Sequence, residues 1–191
     1  MRRGLSVLAL LALLAADTTR AALARDALIR PGVGIGKVEL GMTLAQVRRV
    51  MGRHDTGTSE RRGFGVRYLE LVWDRGPEDY FSVGLLGSPR RLRVVIVSTT
   101  RPAERTASGI GPGTALRRLL RTVPGLRCRD VFPAGGGVLV QREYVLTGGR
   151  GRETVFVPGK WRFYWRDTTK QVAYVMVRDR GASGRVQARP C

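Results

Sequence analysis

The sequence predicts an α+β fold: two tandem units, each a short helical segment followed by a three- or four-stranded antiparallel meander, with the helices on one sheet face. Three observations lead there. Residues 36–52 carry a full set of helix start and stop signals. A weaker copy runs from Gly113 to Pro124, where Gly113, Leu116 and Leu119 align with Gly41, Leu44 and Val47 at a spacing of seventy-two. Further on, Leu92-Arg93-Val94-Val95-Ile96-Val97 matches Val172-Ala173-Tyr174-Val175-Met176-Val177 at a spacing of eighty. A divergent tandem repeat accounts for all three, with units at 25–100 and 101–191 and the second unit's extra residues around Gly148 to Gly159.

The first helix is specified locally. Thr43 suits the N-cap, and Gln46, three residues on, completes a capping box. Met42 and Val47 form a hydrophobic staple, Leu44, Val47, Val50 and Met51 share one helical face, and Gly52 closes the helix. Before it, residues 25–35 read as an extended lead-in. After it, the polar, glycine-rich run from Arg53 to Gly65 reads as a loop.

Three strands follow. Val66 to Trp73 alternates, with Leu69, Leu71 and Trp73 on one side and Tyr68 and Glu70 on the other. Tyr80 to Leu86 places Phe81, Val83 and Leu85 on one face, and Leu92 to Thr99 is apolar on both faces, as a central strand is. In the second unit, a helix spans Thr114 to Val123 and residues 128–137 form a loop. Strands are predicted over Val138 to Leu146, Glu153 to Val157, Trp161 to Arg166 and Val172 to Arg178, with 181–191 a polar tail.

Residues 1–24 read as an export leader: Arg2 and Arg3, an apolar run from Leu5 to Ala16, then a small-x-small site at Ala22-Leu23-Ala24. The run is too short to span a bilayer, so no membrane span is expected in the mature form. The expected location is secreted, or associated with the cell envelope. In that compartment the two cysteines, Cys128 and Cys191, are most simply a disulfide that pins the C-terminus.

The chain has 191 residues and a formal charge of +19, nearly all of it arginine. Such a field attracts polyanions and weakens with salt. The arginines are spread through every segment, without a block or tail, which weighs against nucleic acid and leaves an anionic wall or membrane polymer as a partner class.

The pattern Gly41-Met42-Thr43, Gln46-Val47, Met51-Gly52, followed by a short meander, resembles the small lipoprotein of the outer-membrane barrel-assembly machinery. The doubled arrangement, with a cysteine after the second helix, resembles the β-lactamase inhibitor protein. The resemblance covers most of residues 35–178. It departs from the lipoprotein in lacking a lipid-attachment cysteine, and from the inhibitor in charge and in most residues outside the repeat. What it implies is a fold and a habit of binding other proteins on an open sheet face.

No catalytic constellation accompanies that fold. His54 is the single histidine, beside Asp55 in a polar loop, without a second metal ligand; it is the one plausible base for a Ser or Cys nucleophile, so a hydrolase would need it. Asp74, Glu78 and Asp79 cluster at a turn, where turn formation explains them. The glycine runs ending at Lys37 and Thr114 lack Walker and dinucleotide spacing, and helix lead-ins explain both. No enzyme activity, cofactor or metal is expected.

Strand alternation in Lys160-Trp161-Arg162-Phe163-Tyr164-Trp165-Arg166 separates Trp161, Phe163 and Trp165 from Arg162, Tyr164 and Arg166. With Tyr68 and Tyr174, the second set makes a tyrosine–arginine face, of the composition that binding hot spots favour. An ordinary solvated sheet face has the same composition. The reading is a non-catalytic module that holds another extracytoplasmic protein on that face. Adhesion to an anionic envelope polymer is the alternative.

Overall fold

Strand pairing rather than helix packing sets the architecture of the computed structural model, which describes residues 27–63, 66–76, 79–132, 141–159, 170–182 and 187–191. The strands are β1 (Ile29–Arg30), β2 (Gly34–Ile35), β3 (Val38–Glu39), β4 (Thr56–Gly63), β5 (Val66–Asp74), β6 (Tyr80–Gly87), β7 (Arg93–Thr99), β8 (Arg127–Phe132), β9 (Gln141–Thr147), β10 (Arg152–Pro158), β11 (Val172–Asp179) and β12 (Gln187–Pro190). The helices are α1 (Leu44–Met51) and α2 (Leu116–Thr122). β1, β2 and β3 make a small three-stranded sheet, and the rest form one antiparallel sheet of nine strands in the order β12-β8-β9-β10-β11-β7-β6-β5-β4. The chain is therefore sheet-dominated, where an α+β balance was expected.

The order has a simple logic. β4 to β7 form one meander and β8 to β11 a second, and the last strands of the two, β7 and β11, pair with each other. Val97 lies opposite Val177 in that central pair, and both are fully buried. Similar local geometry appears in both meanders. Gly41 N donates to Val94 O (2.8 Å) and Val94 N to Met42 O (2.9 Å); Gly113 N donates to Val172 O (2.7 Å) and Val172 N to Thr114 O (2.8 Å). Gly41 and Gly113 both need a glycine, with φ of 89° and 81°. Register breaks skip Val95 on β7 and Ala173 on β11. These features set Val94 against Val172, so the strand match read from the sequence is displaced by two residues. Residues 160–169, between β10 and β11, lie outside the described residues.

α1 forms as its signals dictate. Thr43 Oγ1 accepts from Gln46 N (3.2 Å), Gln46 Oε1 accepts from Thr43 N (2.8 Å), and Gly52 is the C-cap. α2 starts later than predicted, after Ala115, which offers no side-chain cap. Val47 of α1 and Leu119 of α2 are fully buried in the same core as Leu71, Phe81, Val83, Phe156 and Val175. Both helices thus cover one face of the sheet. The small sheet joins them, contributing Ile29, Ile35 and Val38 to that core. The lead-in is consequently structured rather than merely extended.

Three segments read as loop or tail are strands: β4 within 53–65, β8 within 128–137 and β12 in the C-terminal tail. Each lies at or next to a sheet edge, and each is read less easily because its sequence lacks a strong apolar alternation. Cys128 on β8 and Cys191 after β12 form the expected disulfide, with Cα atoms 5.5 Å apart. The predicted strand Trp161 to Arg166, the leader 1–24 and Glu78 lie outside the described residues. Among the described residues, no helix is long and apolar enough to cross a membrane.

Candidate functional site

Cross-strand register places Tyr68, Ser82, Ile96, Tyr174, Val155 and Glu143 on the sheet face turned away from the helices. Tyr68 and Tyr174 do share a face, as alternation predicts. Neither stands free on it. Tyr68 is half-buried and lies across Gly84, where a Cβ would meet the Tyr68 ring and Ile96. The glycine is what lets the ring lie flat over the neighbouring strand. Tyr174 was expected exposed and is 8% exposed, packed with Val145, Val155, Val157 and Met176. Its hydroxyl donates to Gln141 Oε1 (2.8 Å). The reason is position: β11 is an inner strand, and both its faces are covered. Arg162, Tyr164 and Arg166 lie outside the described residues.

Beyond Tyr174 the same face holds a charge network that sequence reading missed. Glu143 on β9 and Glu153 on β10 are 1% and 2% exposed. Arg129 on β8 contacts both, at 2.6 Å and 3.0 Å. Arg178 on β11 also contacts both, at 3.0 Å and 3.3 Å. Gln141 Nε2 donates to Glu143 Oε1 (2.6 Å), which links the network to Tyr174. The exposed Arg180 also reaches Glu153 (3.7 Å), and these guanidiniums offset the two buried carboxylates, as burial requires. Their hydrogen-bonding capacity is directed inward, so this half of the face is a polar core rather than a docking surface. Alternation along each strand was the only available signal, and it gives no hint that four distant residues meet.

Elsewhere, too, carboxylates are engaged within the protein. Glu39 pairs with Arg30 (2.7 Å), Asp79 with Arg101 (2.6 Å) and Asp130 with Arg142 (2.8 Å). The Arg142 hydrogen bond holds the Asp130 carboxyl below its usual range. Glu104 is different: burial, opposed by a Thr99 hydrogen bond and Arg101, pushes its carboxyl up to about 7. Its Oε2 has no hydrogen-bond partner among the described residues.

With the carboxylates so placed, arginine is left unpaired at several exposed positions, and both helices carry some of it. Arg48 and Arg49 on α1 and Arg117, Arg118 and Arg121 on α2 are all exposed. Neither helix carries a carboxylate, and none of these five has an ion-pair partner among the described residues. Leu120, 51% exposed, sits among the arginines of α2. The charge that looked evenly scattered along the sequence is therefore unneutralised on both helices of one layer.

The remaining candidates have structural explanations. His54 packs edge-on near Trp73, with ring centroids 6.5 Å apart, and the Trp73 indole donates to Arg53 O (3.1 Å). Asp74 accepts from Gly76 N (3.0 Å) in its turn. Among the described residues, no three His, Cys, Asp or Glu side chains are grouped to hold a metal ion. No protein-family model, curated protein or solved structure matches the chain.

Proposed function

We propose that this chain is an exported, non-catalytic binding module, made of two copies of one helix-plus-meander unit, that adheres to an anionic envelope polymer through the arginines of its helical layer. The observation carrying this is the set Arg48, Arg49, Arg117, Arg118 and Arg121: exposed, on two helices over the same sheet face, and without ion-pair partners among the described residues. Clustered cations of this kind raise the local concentration of a polyanion and bind it in proportion to the counterions released. The duplication is supported by the paired backbone bonds at Gly41 and Gly113 and by the register breaks at Val95 and Ala173.

The test is binding of the purified protein to envelope extract and to soluble polyphosphate, from about 0.05 to about 0.5 M salt. Affinity should fall steeply with salt. It should drop at least about tenfold when Arg48, Arg49, Arg117 and Arg121 are all changed to Gln, whereas Arg90→Gln with Arg91→Gln should matter little. Undiminished binding by the fourfold variant would overturn the reading. Salt-resistant capture of a protein, lost on changing Arg162 and Tyr164 to Ala, would favour the sheet-face alternative and its likeness to the β-lactamase inhibitor protein.

A further inference from the structure

We infer that Arg105, Thr114 and Arg118 form a discrete binding site for a phosphate-class oxyanion on the glycine-rich loop leading into α2. The inference rests on the helical layer being the anion-binding side and adds to it a defined site with its own geometry.

The loop is held at both ends. Arg105 N donates to Ala27 O (2.9 Å) and Ile29 N to Arg105 O (2.7 Å), while Gly113 N donates to Val172 O (2.7 Å). Between these anchors the loop's amides bond internally: Ile110 N to Thr106 Oγ1 (3.1 Å) and Thr114 N to Gly111 O (3.0 Å). The side chains, not the loop amides, are therefore what the site offers.

Thr114 is 7% exposed. Its Oγ1 accepts from Gly111 N (3.0 Å) and from Arg105 Nη1 (3.0 Å). A hydroxyl oxygen has two acceptor positions, and both are taken. Its proton remains to be donated, and no described residue accepts it. A nearly buried donor without an acceptor points to a ligand that supplies one.

Two guanidiniums lie against the same loop. Arg118 Nη2 lies 3.2 Å from where a Cβ on Gly109 would stand, and Arg105 Nη2 lies 4.0 Å from the equivalent point at Gly113. Any side chain at Gly111 would press on the Arg105 stem. Neither arginine has a carboxylate partner among the described residues. Glu104, next to Arg105 in sequence, is instead influenced by Thr99, Arg101 and Asp79. Burial and the Arg118 charge both lower the basicity of Arg105, so an anion here would relieve a repulsion already present. The group is all donors: two guanidiniums and one hydroxyl. A tetrahedral oxyanion, which accepts at every oxygen, is its complement, and phosphate supplies charge and geometry together.

The phosphate can belong to a lipid headgroup, to a phosphodiester polymer or to the free ion. The experiment follows the amide signals of Gly109, Gly111 and Gly113 by NMR at constant ionic strength. Three probes are used: inorganic phosphate, soluble polyphosphate, and phosphatidylcholine vesicles containing phosphatidylglycerol. A saturable response to at least one probe supports the site, and the probe that binds most tightly identifies the source. Arg105→Gln, Arg118→Gln and Thr114→Val should each weaken that response about tenfold. Thr114→Ser, which keeps the hydroxyl, should stay within about threefold. Arg90→Gln with Arg91→Gln removes two charges elsewhere and should leave the response unchanged. No saturable response to any probe, or equal weakening by the Arg90 and Arg91 changes, would overturn the inference. Arg118 is exposed, so its variant stays informative even if the Thr114→Val protein fails to fold. Loss of polymer adhesion in the Arg48, Arg49, Arg117 and Arg121 variant, with this response retained, would separate the general surface from this site.

Discussion

Val97 on β7 faces Val177 on β11 across the seam of the nine-stranded sheet, with no solvent exposure on either side chain. Through this pair the two meanders share one core, and their stabilities are coupled. Val97→Ala should cost about 2–3 kcal/mol, from two lost methyl groups and the gap they leave. Unfolding in urea should remain a single transition, with near-ultraviolet and far-ultraviolet circular dichroism changing together. Two separated transitions would mean that the halves fold independently.

The Arg129–Glu143–Glu153–Arg178 network should be intolerant of single changes. Glu143→Ala leaves two guanidiniums without one of their counter-charges in a site where Glu143 itself is 1% exposed. A loss of about 3–5 kcal/mol is expected, read from the shift in urea midpoint. Asp130→Ala breaks an ion pair whose arginine is largely exposed, and should cost less than about 1 kcal/mol.

Glu104 makes stability depend on pH. Its carboxyl is raised from 4.5 to about 7, chiefly by burial, so the folded protein holds this proton where the unfolded chain has released it. Stability from this group is complete below about pH 4.5 and declines as pH rises through about 7. Above that, the buried charge costs on the order of 3 kcal/mol. Glu104→Gln should flatten this part of the pH profile and raise the melting temperature at pH 8 relative to the parent, measured by calorimetry.

The disulfide fastens β12 to the edge of β8. It closes 63 residues, and a loop of that length is worth about 4 kcal/mol in the chain-entropy account. Cys191→Ser should lower stability by about 2–4 kcal/mol and speed amide exchange along β8, whose outer edge β12 covers. Unchanged exchange at Val131 and Arg129 would show that β12 stays docked without its covalent tie.

Legibility followed the range of the interactions. The capping box at Thr43 and Gln46 needs only neighbours three residues apart, and it forms as read. The alternation in β5 and β6 gave the buried faces correctly, with Leu71, Phe81 and Val83 in the core. The proposed binding face was less legible. Alternation places Tyr174 on the same face as Tyr68, though β6 and β7 lie between their strands; only the neighbouring strands decide whether that face is wet, and here Val155, Val157 and Met176 close around it.

By itself the sequence determined the short-range features: one well-capped helix, the alternating strands, the cysteine pair and an arginine surplus. Tertiary structure decided which segments became β4, β8 and β12, because strands at or next to a sheet edge can form by backbone pairing without an apolar period to read. It also decided where the charge went. Cross-strand register brought Glu143 and Glu153 inward to Arg129 and Arg178, while the helices carried their arginines outward without carboxylates to meet them. Neither outcome is encoded in local spacing, because both depend on which residues, far apart in the chain, become neighbours across a strand.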